Sequence, residues 1–109
     1  MINQLRLYDV DPDLEGVFLD RFRDHAQRIM TERYGFRILA MWLAREERRL
    51  RFVYLLSWTD AAEMKAKWAA FMADEEWKRA KEESRIGRHE PVQAIEDIPL
   101  EAVPFSAPL

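Results

Sequence analysis

The sequence predicts an α+β domain of ferredoxin-like topology, βαββαβ, with an antiparallel sheet and two helices on one face, the second of them broken. Three observations carry this. A short apolar run, Phe52 to Leu56, is rich in aromatic and β-branched residues and is bounded by polar segments, which suits a central strand. Directly after it, Asp60 and Glu63 have the spacing of a capping box and open a helix at Ala61. Earlier in the chain, Leu14, Phe18, Phe22, Ala26, Ile29 and Met30 recur at intervals of three and four, and Gly35 supplies a stop.

In chain order, Ile2 to Tyr8 alternates, with Leu5 and Leu7 on one side and Gln4, Arg6 and Tyr8 on the other, as a half-buried strand does. Asp11 or Asp13 caps the first helix, with Pro12 near its start. Phe36 to Leu43 is the second strand by its apolar density. Arg45 to Arg51, with six charges in seven residues, forms the solvated tip of a hairpin to the third strand. In the second helix Met64, Trp68, Phe71 and Met72 fall on one face; the helix breaks near Ala73, and Asp74 caps a further piece that ends near Ile86 and Gly87. His89 to Glu96 is the last strand, with Pro91 placing it at an edge or an early bulge. Residues 97–109 hold three prolines and form an extended arm on a single domain spanning 1–109.

A chain of 109 residues buries roughly 65% of its unfolded surface and leaves no room for a second core. Cysteine is absent, so thiol chemistry and disulfides are excluded. A net charge of −3 with mixed signs throughout argues against a nucleic-acid partner. No apolar run is long enough for a membrane span and no targeting segment is evident, so the expected location is the cytoplasm. His25 and His89 lie far apart without Cys or a Glu-x-x-His pattern, and neither a metal nor another cofactor is expected.

Strand parity extends the argument to the sheet faces. Assigning the aliphatic set (Leu5, Leu7, Val53, Leu55) to the side under the helices leaves Arg6, Tyr8, Tyr54 and Trp42 on the helix-free face. Such an aromatic face marks an interface, and two copies joined face to face would close a barrel around a mixed aromatic and polar lumen. The expected partner is a second copy of the chain, with higher oligomers left open.

The order and spacing of Gln4 to Tyr8, Gly35-Phe36 leading to Trp42, the strand Phe52 to Trp58 ending before Asp60, Asp74 to Trp77, and the tail Val103 to Leu109 resemble the NIPSNAP family. The resemblance covers nearly the whole chain. It implies a fold of the dimeric α+β barrel kind and a molecular activity that the family leaves poorly defined. The chain departs from the family pattern at Leu50, Tyr54 and Ala80, where members often carry Asn, His and Phe.

The expected ligand site is the lumen: Arg6, Tyr8, Trp42 and Tyr54, with His25 near the mouth, taking a small anionic, partly aromatic molecule. A charged residue on an enclosed face needs a partner, so Arg6 is either a ligand group or half of an ion pair with a carboxylate across the dimer. Three function classes follow: a non-catalytic small-ligand-binding or interaction module; a cofactor-free oxygenase or isomerase, for which no strand supplies a His as base; and a haem protein, for which only His25 or His89 offers an axial ligand.

Overall fold

The computed structural model describes residues 1–109. Four strands, β1 (Ile2–Val10), β2 (Arg37–Glu46), β3 (Arg49–Trp58) and β4 (Val92–Leu100), form one antiparallel sheet in the order β2-β3-β1-β4. Helix α1 (Glu15–Arg21) continues through two π-helical stretches, Phe22–Ala26 and Ile29–Arg33; α2 (Ala61–Met72) and α3 (Glu75–Ser84) make the broken second helix. The expected βαββαβ order is the observed one.

The local signals work as their chemistry requires. Asp11 accepts from the Asp13 backbone N–H at 3.0 Å and starts a 3-10 turn over Pro12–Leu14 that leads into α1. Gly35 ends the helical run with φ +68, and the Phe36 N–H bonds back to the Met30 carbonyl at 2.9 Å. Asp60 accepts from the Glu63 N–H at 2.8 Å, and Asp74 accepts from the Trp77 N–H at 2.9 Å. Glu63 does not close a capping box on Asp60. Its carboxylate accepts from the Thr59 N–H at 2.9 Å and from Arg37 at 2.8 Å, bracing α2 against β2.

Two segments differ from expectation. The charged hairpin tip is only Glu47 and Arg48, because Arg45, Arg49 and Arg51 lie on the strands and pair with Glu15, Asp9 and Glu46. The last strand begins later and runs on through Pro99 to Leu100, so the irregular arm is 101–109. Pro99 is tolerated because β4 is an edge strand, and Pro91 precedes the strand, where its carbonyl accepts from the Asp11 N–H.

The largest correction concerns the sheet faces. The residues under the helices are Gln4, Tyr8, Val10, Leu50, Phe52, Tyr54, Leu56 and Trp58, all buried. The aliphatic set lies on the opposite, helix-free face: Leu5 is paired with Leu55 and Ile98, and Leu7 with Val53. The helices decide the matter. They present Phe18, Phe22, Trp68 and Phe71, and the aromatic strand residues pack edge-on and tilted against them at centroid separations of 4.7–6.5 Å, as in Phe22 on Phe52 and Trp68 on Trp58. Polar tips do not bar these residues from the core, because the tips bond to one another.

Candidate functional site

Strand β1 positions the polar groups beneath the helices. Gln4, 1% exposed, accepts through Oε1 from the indole N–H groups of Trp58 and Trp68, each at 2.8 Å, and donates through Nε2 to Asp97 at 2.7 Å. Two residues on, Arg6 lies opposite Asp97 of β4 and donates to it through Nη1 at 3.1 Å. Its guanidinium stacks over the Trp68 ring, 4.3 Å from the centroid, and its Nη2 donates to the Tyr8 hydroxyl at 3.1 Å. Its buried Nε has no partner. The carboxylate beside Arg6 thus comes from the same chain, not from across a dimer.

The Tyr8 hydroxyl is 2.6 Å from that of Tyr54, which is fully buried. Burial, followed by the Tyr8 oxygen, pushes the Tyr54 pKa well above its ordinary value, against a smaller lowering by Arg6. Tyr54 is therefore held as a phenol, a donor rather than a base. Either hydroxyl can donate to the other; where Arg6 and Tyr54 both donate to the Tyr8 oxygen, the Tyr8 proton points into the adjoining space.

That space is a cavity of about 250 Å³ between sheet and helices. It is just under the usual range for drug-sized ligands, about 300–1,000 Å³, so its occupant is small. Phe22, Met30, Phe71 and Trp77 supply much of its apolar wall, and Arg6 and Tyr8 a polar patch. Part of the wall comes from Phe22 and Ala26, on the first π-helical stretch, where wider turns recur at functional sites. Just before β4, Arg21 makes a bidentate pair with Glu90, 2.8 Å on both arms, and a bond to Ser84 at 3.1 Å. The Glu90 pKa is lowered, because the bonds from Arg21 and the Val92 N–H outweigh its desolvation by burial. Lys81 of α3 and Arg85, the residue that caps it, line the same cavity.

Of the residues the sequence singled out, Arg6, Tyr8 and Tyr54 come together in one hydrogen-bonded group. Trp42 and His25 do not join them. Trp42 pairs with Val53 on the helix-free face and is half exposed; its parity is opposite to that of Tyr54. His25, on the first π-helical stretch, lines a separate surface cleft with Asp20, Asp24 and Glu83. The position of the group is also corrected: it faces a cavity within one chain, not a lumen between two sheets.

Gln4, Trp68, Arg21, Lys81, Arg85 and Glu90 were not legible as site residues. Only Arg21 carried a signal, a charge three residues after Phe18 and one before Phe22 on the buried stripe of α1. No three His, Asp or Glu side chains converge as a metal site would need. No helix is long and apolar enough to cross a membrane.

Among curated proteins, none matches the sequence. Solved structures share its fold. An uncharacterized NIPSNAP-like domain protein from Burkholderia xenovorans has 19% identity and a TM-score of 0.81, over 99% of this chain and 90% of that one. A NIPSNAP family protein with unknown function from Agrobacterium tumefaciens has 16% identity and a TM-score of 0.80, over 97% and 91%. More distantly, an antibiotic biosynthesis monooxygenase has 20% identity and a TM-score of 0.60, over 95% and 100%, a likeness of fold alone. The profile of the NIPSNAP family matches residues 3–107. Extending over nearly the whole chain, that match shows that the protein belongs to the NIPSNAP family.

Proposed function

We propose that the chain is a small-ligand-binding module whose cavity takes a small anionic, partly aromatic molecule, with Arg6 and Tyr8 contacting an oxygen of that molecule and Tyr54 fixing the Tyr8 hydroxyl from behind. The observation that carries this reading is the hydrogen-bonded Arg6–Tyr8 pair in the wall of an aromatic-lined cavity. A guanidinium and a phenol in an apolar wall are among the few polar groups that orient a ligand there. The raised Tyr54 pKa favours binding over proton abstraction.

An oxygenase or isomerase acting in the same cavity is the second reading. It draws on the fold shared with the monooxygenase and on the Tyr8 proton, which would stabilise a developing oxyanion. Oxygen uptake or product formation on mixing with a bound ligand would favour it.

The partner proposed is a second copy. The helix-free face offers Leu5, Leu7, Val53 and Leu55, only half buried in the single chain, with Trp42, Ile98 and Leu100 more exposed beside them. A contiguous apolar sheet face of this kind suits a face-to-face twofold contact.

The test is a thermal-shift screen with aromatic carboxylates, phenols and keto acids. A true ligand raises Tm by mass action, by about 2.7 kcal/mol of added stability at a hundred times Kd. Arg6→Met keeps an apolar stem over Trp68 and is expected to weaken binding by roughly 1.5–3 kcal/mol. Stability should change little, since Asp97 is 47% exposed and returns to water. No shift from any member of the panel, or shifts from its phenolic members that are equal in Arg6→Met, overturns the reading.

A further inference from the structure

The two ends of the cavity differ in charge. At one end Arg6 is matched by Asp97, so the formal sum is zero, and what that end offers is hydrogen bonding from the paired guanidinium and the Tyr8 hydroxyl. At the other end Arg21 consumes both oxygens of Glu90, and Arg85 reaches that same carboxylate only at 3.8 Å. Lys81 has no carboxylate within ion-pair distance; its ammonium lies over the Trp77 ring, 5.5 Å from the centroid. Arg21, Lys81 and Arg85 against Glu90 alone leave this end with an excess of two positive charges.

The register separates the two ends. Arg6 lies opposite Asp97 and Val10 opposite Val92, with Glu90 two residues further back, so they are four residues or more apart along β1. At about 3.3 Å per residue that is roughly 13 Å, a length an extended aromatic molecule can bridge.

We infer that Lys81, assisted by Arg85, anchors the acidic group of a two-ended ligand, an aromatic carboxylate whose far end carries a neutral hydroxyl or carbonyl oxygen for Arg6 and Tyr8. This rests on the cavity-binding reading above and moves the ligand's charge away from Arg6, where sequence reasoning put it. A compact ammonium over an indole face, next to a guanidinium that is only partly matched, forms a seat for a carboxylate. Burial, then Arg85 and Arg21, lowers the Lys81 pKa, so the uncomplexed ammonium is disfavoured where it stands and an arriving anion would relieve it.

The test uses isothermal titration of the full chain with three naphthalenes: 6-hydroxy-2-naphthoate, 2-naphthoate and 2-naphthol. On the native protein the hydroxy acid should bind most tightly. Lys81→Met should weaken both carboxylates by about tenfold or more and leave 2-naphthol unchanged. Arg6→Met should do the reverse, weakening the two hydroxyl compounds and sparing 2-naphthoate. Arg85→Gln, on an exposed side chain, should show a smaller loss of the same kind as Lys81→Met and serves if that variant folds poorly. If 2-naphthol binds the native chain as well as the hydroxy acid does, or if neither basic-end variant distinguishes acid from phenol, the anchor is refuted while the cavity reading stands. If none of the three binds the native chain, the cavity reading fails and takes the anchor with it.

Discussion

Gln4→Leu tests whether polar tips in the core are what permit this aromatic face to be buried. Leucine is close in volume, so the substitution adds no large cavity and isolates the hydrogen bonding. Three bonds disappear: those from Trp58 and Trp68 into Oε1, and that from Nε2 to Asp97. Their consequences differ with exposure. Trp58 is fully buried, so its indole N–H is left without a partner, at about 1–3 kcal/mol. Trp68 and Asp97 are partly open and recover water, so each loses only the net value of its bond, roughly 0.5–1.5 kcal/mol. The burial of an apolar side chain in place of an amide offsets part of this. We expect a net loss of about 2–4 kcal/mol, which for a domain of this size lowers Tm by roughly 10–15 °C. Urea unfolding followed by tryptophan fluorescence and near-ultraviolet circular dichroism provides the measurement, with Gln4→Glu as a companion. Glutamate keeps the acceptors but sets a second carboxylate against Asp97, so it should destabilise too. A Gln4→Leu variant within about 0.5 kcal/mol of native would show that the indoles do not depend on this amide, and the account of the buried face would be wrong.

The remaining predictions concern acid stability and assembly. Bonds from Tyr34, Arg33 and the Trp77 N–H hold Asp74 at about 2 in spite of its burial, and those from the Thr59 N–H and Arg37 hold Glu63 at about 2, against ordinary values of 3.8 and 4.5. Both folded pKa values are depressed, so their stabilisation is complete above about pH 4.5 and is lost as pH falls toward 2. Asp74→Asn keeps an acceptor for Trp77 but cannot titrate; its stability should be lower at neutral pH and fall less steeply between pH 4.5 and 2, and parallel pH profiles would count against the assignment. On the helix-free face, Leu55→Lys places a charge among Leu5, Ala40 and Ile98. It should convert a dimer to a monomer by light scattering at micromolar concentration while the chain stays folded, and a native chain that is already monomeric would refute the proposed assembly.

Much of the fold was legible because its signals are local. Asp60 and Asp74 reach only three residues along the chain, and Gly35 acts through its own φ. The site was less so, because it is assembled by pairs far apart in sequence: Arg6 with Asp97, Arg21 with Glu90, Gln4 with Trp58 and Trp68. Parity failed for the same reason. Gln4, Tyr8 and Tyr54 look like surface residues one at a time, and only their bonds to distant partners, Tyr8 to Tyr54 and Gln4 to Trp58, make them core. A usable signal was nevertheless present in the helices. Their stripes carry Phe18, Phe22, Trp68 and Phe71, and rings pack best against rings, so the strand face bearing Tyr8, Phe52, Tyr54 and Trp58 was the better match for them. The same matching leaves Leu5, Leu7, Val53 and Leu55 without a helix to cover them. An aliphatic sheet face without a cover is a stronger reason for a partner than the aromatic face that first suggested one. It also frees the aromatic side to hold a cavity, so the proposed assembly and the proposed ligand site fall on opposite faces of one sheet and are expected to be broken separately, by Leu55→Lys on one side and Lys81→Met on the other.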